Sequence, residues 1–145
     1  MCLILFAYKV SAKYPLVLAA NRDEFYNRPT ARMDWWKDKG LLAGKDLKGG
    51  GTWLGLSKEG NFSALTNYRE GSYNDPEAPT RGTLVLDYLD GAGNVGAYYE
   101  KISPKVFQYN GFNLLLGALE NLHYLSNRDK SGLQVLPPGV HGLSN

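Results

Sequence analysis

The first twenty residues of the chain contain two short apolar runs separated by a polar turn. Residues 3–10 and 16–20 are apolar and β-prone, and a turn-rich segment at residues 11–15 joins them. This pattern predicts a β-hairpin. The second run ends abruptly in the polar cluster Asn21-Arg22-Asp23-Glu24. Because the strands of a hairpin are antiparallel, we expect this cluster to lie beside the start of the first strand, next to Cys2.

The middle of the chain predicts a second hairpin, formed by residues 52–57 and 61–68. Residues 27–39 show no clear period and are predicted to form an irregular segment. The glycines at residues 49–51 are not followed by the Lys-Ser/Thr of a phosphate-binding loop, so we interpret them as a flexible turn. Trp53, which follows soon after, is predicted to fill the core rather than to line a pocket.

A polar loop is predicted at residues 69–81, and the residues after it have the spacing of an amphipathic helix. Apolar side chains recur with a helical period in residues 84–89, and Gly91 is the predicted stop. Asn94 is predicted to cap a second short helix, which Ser103-Pro104 ends. The sequence therefore predicts two consecutive helices after the first group of strands.

Two more strands are predicted at residues 112–119 and 122–125, before a tail that carries a Pro-Pro-Gly turn. The order of strands, helices and strands favours an α+β fold over the alternating βαβ units of a parallel sheet. No repeat, low-complexity segment or linker interrupts this pattern. We therefore expect one domain spanning residues 1–145.

The composition is that of an ordinary globular protein. Of the 145 residues, 43% are hydrophobic and 21% are charged, which argues against extended disorder. A net charge of +2 provides no broad basic face, so nucleic acid is not the expected partner. The apolar start is too short to span a bilayer and lacks a signal-peptide cleavage site, so no transmembrane segment is expected. The single cysteine rules out an intramolecular disulfide and favours a reducing, cytoplasmic location.

Cys2 is the first candidate catalytic residue. It directly follows Met1, and methionine aminopeptidase removes the initiator methionine before small residues. The processed residue would combine a thiol nucleophile with its own amine, whose ordinary pKa of about 8 suits a general base near neutrality. The alternative is that Cys2 is only a small apolar residue of the first strand, because such cysteines are often buried.

The polar cluster after the second strand provides candidate partners for Cys2. Strand alternation would place Asn21 and Asp23 on one side, and Arg22 and Glu24 on the other. A carboxylate there could orient the amine of Cys2, and an arginine could stabilise negative charge. The alternative is an ordinary solvated strand end.

Two asparagines are candidate amide donors to an oxyanion. Asn67 ends an apolar strand, and Asn145 follows Gly142-Leu143-Ser144. Taken alone, each is better explained as a turn residue, since asparagine is common in turns. His123 and His141 are not at metal-ligand spacing, so no metal site is predicted.

Five motifs taken together resemble the NRDE family, which is also called the transport and Golgi organisation protein 2 family. In chain order they are Cys2, Asn21-Arg22-Asp23-Glu24-Phe25-Tyr26, Gly51-Thr52-Trp53-Leu54-Gly55, Thr66-Asn67-Tyr68-Arg69 and Gly142-Leu143-Ser144-Asn145. The resemblance therefore covers the whole chain. Members of that family are usually longer and continue past the last motif, which implies that this chain corresponds to an N-terminal portion.

That family is in turn similar to N-terminal-nucleophile hydrolases of the choloylglycine and penicillin acylase type. The resemblance implies an αββα sandwich, here incomplete, with Cys2 as the nucleophile and with Asp23 and Asn21 beside it. It makes Asn67 and Asn145 candidate amide donors by their positions at strand ends.

The catalytic arginine of those hydrolases has no direct counterpart in this chain. It immediately precedes the asparagine of their motif, where this chain has Ala20. Arg22 falls one residue after the asparagine, a position that alternation sends to the other face. Either a bulge returns Arg22 to the site, or the site lacks that cation.

Two functions from different classes follow from the resemblance. The first is a cysteine amidohydrolase that cleaves a non-peptide carbon–nitrogen amide of a small molecule and needs no cofactor. The second is a non-enzymatic protein on the same fold that binds haem or a lipid-like ligand, since eukaryotic relatives are linked to haem trafficking and lipid homeostasis. In that case Cys2 or a histidine would be an axial ligand of the haem. A structural protein with a degenerate site is the third alternative.

Overall fold

The computed structural model describes residues 1–69, 71, 74–91 and 93–144. Two α-helices lie between the sixth and seventh strands, and a short 3₁₀ helix (Ser103–Gln108) follows the second of them. In chain order, the strands and α-helices are β1 (Leu3–Tyr8), β2 (Leu16–Asn21), β3 (Thr30–Trp36), β4 (Leu41–Asp46), β5 (Leu54–Ser57), β6 (Asn61–Asn67), α1 (Gly82–Asp90), α2 (Val95–Ile102), β7 (Phe112–Ala118), β8 (Asn121–Ser126), β9 (Gln134–Val135) and β10 (Gly139–Ser144).

The strands of the described residues form two sheets. The small sheet has the order β10-β1-β2, and the large sheet has the order β3-β4-β5-β6-β7-β8-β9. Every pairing between neighbouring strands is antiparallel. The predicted α+β class is therefore confirmed, and a parallel sheet of βαβ units is excluded for this part of the chain.

The helices and the two sheets stack in layers around two cores. Leu114 and Leu116 of β7 pack with α1 and α2, whereas Leu115 packs with Ile4 and Phe6 of β1. Neighbouring residues of a strand point to opposite faces, so the helices cover one face of the large sheet and the small sheet covers the other. The order of the layers is helices, large sheet, small sheet.

Both predicted hairpins and both predicted helices are present. The register of the first hairpin places Leu3 opposite Asn21, so the polar cluster lies beside the start of β1 as expected. β5 and β6 form the second hairpin. Gly91 follows the end of α1, and the Asn94 side chain accepts a hydrogen bond of 2.9 Å from the N–H of Ala97 at the start of α2.

The prediction of an irregular segment at residues 27–39 is wrong. β3 lies there and pairs with β4, with a register shift between Ala31 and Asp34. β3 is an edge strand whose residues are nearly all exposed, so no buried face imposes a period on its sequence. The register shift further breaks the alternation that would have identified a strand.

The two predicted sequence breakers lie where helices and strands end. α2 ends at Ile102, directly before Ser103-Pro104 as predicted, and the separate 3₁₀ helix then begins at Ser103, because proline is well tolerated in a first helical turn. The glycines at residues 49–51 lie in a turn as predicted, and Gly51 at its end packs tightly against α1. Gly51 is buried, and a Cβ on it would lie 2.5 Å from the carbonyl carbon of Gly82 at the start of α1.

The tail contributes a strand that the sequence analysis did not predict. β10 pairs with β1 along its whole length, from Leu3 opposite Ser144 to Tyr8 opposite Gly139. Two of the six residues of β10 are glycines. Because glycine has no side chain, these positions contribute nothing to the alternation of apolar and polar side chains that identifies a strand. None of the helices in the described ranges is long and apolar enough to cross a membrane.

Candidate functional site

A cavity of about 150 Å³ opens where the start of β1 meets the ends of β2 and β6 and the start of α1. These elements are distant in sequence and are brought together by the two sheets. Most of the predicted site residues line this cavity: Cys2, Asn21, Arg22, Asp23 and Asn67. The remaining predicted residue, Asn145, lies outside the described residues.

The thiol of Cys2 faces the backbone of Asp23. The Asp23 N–H donates to Sγ at 3.2 Å, and the thiol donates to the Asp23 carbonyl oxygen at 3.6 Å. The regular register between β1 and β2 fixes this approach, because Leu3 and Asn21 pair directly beside it. Alternation gives Cys2 the inward face that Ile4 also uses, so the thiol points into the cavity.

Asn21 and Asp23 hold Met1, the residue that is joined to Cys2. The amine of Met1 forms an ion pair with the Asp23 carboxylate. Asn21 Nδ2 donates to the Met1 carbonyl oxygen at 2.9 Å. Arg69 lies 3.4 Å from the same Asp23 carboxylate at an exposed position. Asn21 and Asp23, which strand alternation predicts on the same side of the end of β2, therefore both contact the first residue of the chain.

Arg22 lies in the cavity, although β2 is regular. The β1–β2 register is unbroken up to Asn21, and Arg22 follows on the inward face that Ala20 also uses. Its guanidinium lies 4.6 Å from the centre of the Trp53 ring and 3.3 Å from a carboxylate oxygen of Glu24. The cation is thus present without a bulge, which is neither of the two arrangements expected from the sequence.

Trp53 forms part of the cavity wall as well as packing against the large sheet. A Cβ added to Gly44 of β4 would lie 2.7 Å from the ring, so β4 backbone supports the indole closely. The Arg22 guanidinium stacks over the ring, a contact that favours a fixed arginine geometry. The prediction that Trp53 only fills the core is therefore corrected, because it also supports Arg22.

Burial raises the pKa of the Cys2 thiol above its ordinary value. The amine of Met1 and the guanidinium of Arg22 oppose this effect, because nearby positive charges favour the thiolate. Since burial has the largest effect, the thiol is protonated at neutral pH while Met1 remains attached. Its deprotonation then requires a base, and the amide nitrogen of Cys2 cannot serve as one.

A second group of charges lies along another side of the cavity. Arg28 contacts Asp46 Oδ2 through Nε at 2.9 Å and through Nη2 at 2.7 Å. Burial raises the pKa of Asp46, but the hydrogen bonds from Arg28 and from two backbone N–H groups outweigh it. The pKa of Asp46 therefore lies below its ordinary value, and the carboxylate is a charged anchor for Arg28 at neutral pH.

Arg81 is a cavity residue that the sequence analysis missed. It immediately precedes α1, and its Nη1 donates to the Gly111 carbonyl oxygen at 2.9 Å. A cation at a helix N-terminus opposes the helix dipole, so arginine is an unfavourable choice there for the helix alone. The cation directly before the predicted helix was therefore the one sequence feature that set Arg81 apart, and it did not indicate the cavity.

Comparison with models of protein families shows which family this chain belongs to. The family model described as Transport and Golgi organisation 2 matches residues 1–145. The chain belongs to the Transport and Golgi organisation 2 family. The family resemblance carried by the sequence motifs is thereby confirmed.

Relatives of this family member carry the same family name. The mouse (Mus musculus) Transport and Golgi organization 2 homolog is 42% identical over an alignment of 158 residues that covers all of this chain and 57% of the relative. The human (Homo sapiens) homolog has the same identity and coverage. The Drosophila melanogaster Transport and Golgi organization protein 2 is 32% identical over 128 residues, which cover 79% of this chain and 45% of the relative. This family member thus spans little more than half the length of the mammalian relatives.

The Arg28–Asp46 pair makes the stability of this family member depend on pH. Asp46→Asn is expected to cost about 1–3 kcal/mol of unfolding free energy near pH 7 and much less near pH 3. The pKa of Asp46 is lower in the folded state than in the unfolded state. Its carboxylate therefore contributes stability that is present above the unfolded-state pKa and is lost as the pH falls through the folded-state pKa.

Urea unfolding of both proteins at the two pH values measures this difference. Asp38→Asn is the matched control, because Asp38 lies in the exposed turn after β3 and outside the cavity. The control should change the unfolding free energy by less than about 0.5 kcal/mol. An Asp46→Asn cost that is the same at both pH values would contradict the role assigned to the carboxylate.

Proposed function

We propose that this family member is an N-terminal-nucleophile cysteine amidohydrolase that cleaves a non-peptide carbon–nitrogen amide. The observation that carries the proposal is that Asn21 and Asp23 both bind Met1, the residue joined directly to Cys2. Removal of Met1 would leave the new amine of Cys2 beside both side chains. A single residue would then supply nucleophile and base, with a carboxylate to orient the amine.

The reaction that this arrangement supports proceeds through a thioester. Cys2 Sγ attacks the amide carbonyl carbon while the thiol proton moves to the amine of Cys2. The tetrahedral intermediate collapses, the carbon–nitrogen bond breaks, and the leaving amine takes the proton from the Cys2 ammonium. Water then attacks the thioester and gives a proton to the Cys2 amine. The carbon–sulfur bond breaks, the sulfur regains the proton, and a carboxylic acid leaves.

Hydrogen-bond donors and a cation for the developing negative charge line the cavity that the thiol faces. The Asp23 N–H lies 3.2 Å from Sγ, and Asn67 lines the same cavity. The charge of Arg22 opposes the effect of burial on the Cys2 pKa and would favour an oxyanion in the same way. We therefore propose Asn67 and the Asp23 N–H as donors and Arg22 as the stabilising charge. Asn145 is a proposed donor on the family resemblance alone.

The same proposal includes the fold type. The helices and the two sheets would be three layers of an αββα sandwich within one domain, residues 1–145. The fourth layer would lie on the outer face of the small sheet, where Leu5, Val17 and Val140 are exposed. A cytoplasmic location, expected from the single cysteine, also remains part of the proposal.

The test is the intact mass of the protein before and after limiting iodoacetamide at neutral pH. Species with and without Met1 differ in mass by one methionine, so one spectrum reports the labelling rate of each. We expect Met1 to be absent from most molecules, and those molecules to be labelled at Cys2 faster than glutathione. Any species that keeps Met1 should react more slowly, because burial raises the pKa of its thiol.

Paired variants make this test specific to the carboxylate. Asp23→Asn should slow the labelling of molecules that lack Met1, because the amine loses its orienting partner, whereas Asp38→Asn should not. Retention of Met1 in all molecules would overturn the mechanism. Labelling of Met1-free molecules at or below the glutathione rate would overturn it as well.

The second candidate function is the binding of haem or a lipid-like ligand without catalysis. The observation that favours it is an open depression of about 580 Å³ next to the cavity, which carries the exposed aromatic side chains of Phe25, Tyr26 and Tyr68. Surface aromatic rings suit a ligand with an apolar part. Added haemin should then give a Soret band that Cys2→Ala abolishes if the cysteine is the axial ligand. Retained Met1 together with such a band would favour binding over hydrolysis.

A further inference from the structure

The small sheet leaves the outer edge of β2 unpaired. β2 ends the strand order β10-β1-β2, and among the described residues it pairs with β1 alone. An edge strand presents a row of N–H and C=O groups without partners, and such a row can pair with a strand of another chain. Proteins usually protect these edges, so the sequence and geometry of β2 decide whether its edge is available.

β2 carries none of the features that protect an edge strand. Its sequence LVLAAN contains no charged residue and no proline, and its register with β1 is regular throughout. The other edges of the two sheets differ. β3 contains Arg32 and Asp34 and a register shift, β9 has two residues, and two of the six residues of β10 are glycines. Among the described strands, β2 is therefore the edge best suited to pairing.

The hydrogen bonds to β1 show which backbone groups of β2 face outward. The Lys9 N–H donates to the Pro15 carbonyl oxygen at 2.8 Å, and these residues are directly opposite when the β1–β2 register is extended by one residue. Opposite residues of antiparallel strands alternate between hydrogen-bonded and non-hydrogen-bonded pairs. Every second residue of β2 therefore bonds to β1. The N–H and C=O groups of the other three residues point to the open edge: Leu16, Leu18 and Ala20.

These outward-facing groups are complementary to a second copy of β2. In an antiparallel pair, opposite side chains lie on the same face, so the two-fold axis between identical strands must pass through a residue. An axis at Leu18 places Leu18 opposite its own copy and Leu16 opposite Ala20 of the partner subunit. Every outward-facing N–H and C=O of both strands then has a hydrogen-bond partner. An axis at either neighbouring residue would leave one end of each strand opposite a residue outside β2.

The side chains and charges agree with the same register. The exposed side chains of Val17 and Ala19 would lie opposite each other on the outer face. Leu18, which is partly buried against the core, would pack on its own copy. Beyond the paired residues, the loop that carries Lys13 would run toward Asp23 of the partner subunit. Opposite charges would thus approach at both ends of the paired strands.

We propose that β2 pairs antiparallel with β2 of a second copy of this chain, with the two-fold axis at Leu18. The two small sheets then form one continuous sheet with three strands from each copy. The pairing ends at Ala20, directly before the polar cluster, so the two cavities lie at opposite ends of the paired strands. This dimer goes beyond the proposed hydrolase function and does not depend on it.

The experiment is sedimentation velocity of the full chain over a range of concentrations. Because one pair of strands makes a small interface, we expect a reversible dimer with a Kd of about 1–50 µM. A monomer at about 100 µM would overturn the proposal. Assemblies larger than a dimer would overturn it as well, since pairing about a two-fold axis is closed.

Two double variants test the register. Val17→Lys with Ala19→Lys places like charges opposite each other and should give a monomer at about 100 µM. Val17→Lys with Ala19→Glu places opposite charges there and should keep the dimer. An axis at Val17 or Ala19 would instead bring two copies of one residue together, so the second variant would then be repelled. A dimer of the first variant, or a monomer of the second, would overturn the proposal.

Val140→Lys separates edge pairing from packing between outer faces. Val140 is exposed on the outer face of the same sheet but belongs to β10, on the far side of β1 from β2. We expect its Kd for dimerisation to stay within about threefold of that of the unmodified protein. A loss of the dimer in this variant would show that the outer face makes the contact, and the proposal would fail.

Amide hydrogen exchange provides a readout at the paired groups themselves. At the same concentration of about 100 µM, the N–H groups of Leu18 and Ala20 should exchange at least about tenfold more slowly in the unmodified protein than in the double-lysine variant. The reason is that these N–H groups have partners only in the dimer. Equal exchange in the two proteins would contradict pairing through β2.

Discussion

If the proposed hydrolase function holds, Cys2→Ser is expected to lower kcat for amide hydrolysis by at least about 10³-fold. Serine is small enough for Met1 to be removed, so the variant would keep the terminal amine and lose only the thiol. A hydroxyl is a much weaker nucleophile than a thiol near neutral pH, and burial of this position disfavours its ionisation further. Release of the amine product from an amide substrate by the full chain measures kcat.

Ser11→Ala is the control for this prediction. Ser11 lies in the turn between β1 and β2 and outside the cavity lining, and its replacement likewise changes a single side-chain heteroatom. Its kcat should stay within about twofold of the unmodified protein, since surface changes distant from the site have small effects. A Cys2→Ser protein that retains more than a tenth of the activity would show that Cys2 is not the nucleophile.

Gly51→Ala is expected to lower the free energy of unfolding by about 3 kcal/mol or more. The added Cβ would lie 2.5 Å from the carbonyl carbon and 2.6 Å from the carbonyl oxygen of Gly82. These are backbone atoms, so no side-chain rotation relieves the overlap. The start of α1 would have to move, and the hydrogen bond of 3.2 Å from the Thr52 N–H to Gly82 would be strained. Denaturant unfolding measures the loss.

Gly96→Ala is the matched substitution at a glycine without close neighbours. Gly96 lies in α2, where the nearest atom to an added Cβ would be the side-chain oxygen of Asn94 at 3.6 Å. Alanine favours helix over glycine by up to about 1 kcal/mol, so this variant should be more stable than the parent. Equal effects of the two substitutions would mean that the contact between Gly51 and Gly82 is not tight.

The elements that were predictable from the sequence are those with one buried face. Leu84, Val85, Tyr88 and Leu89 are all buried in α1, so burial itself produced their helical spacing. β3 has no buried face to produce a period. Edge position therefore explains why the sequence analysis failed there.

The candidate site was predictable where it depends on hairpin geometry. A polar cluster at the end of β2 had to lie beside the start of β1, whatever the rest of the fold. The location of Arg81 was not predictable, because it depends on how α1 packs against the large sheet. The Arg22 position was misjudged for a different reason. The sequence argument took the face of Asn21 and Asp23 as the inward one and so placed Arg22 on the opposite face. In the structure Arg22 shares the inward face with Ala20 and with the Cys2 thiol.

The ion pair between the Met1 amine and Asp23 has a practical consequence for making the protein. An affinity tag fused ahead of Met1 would convert that amine into an uncharged amide and leave the Asp23 carboxylate without its partner. The added polypeptide would also begin one residue before Cys2, which lines the cavity. It would also prevent aminopeptidase from exposing the Cys2 amine, which the proposed mechanism requires as its base. Expression with Met1 as the first translated residue avoids this artefact.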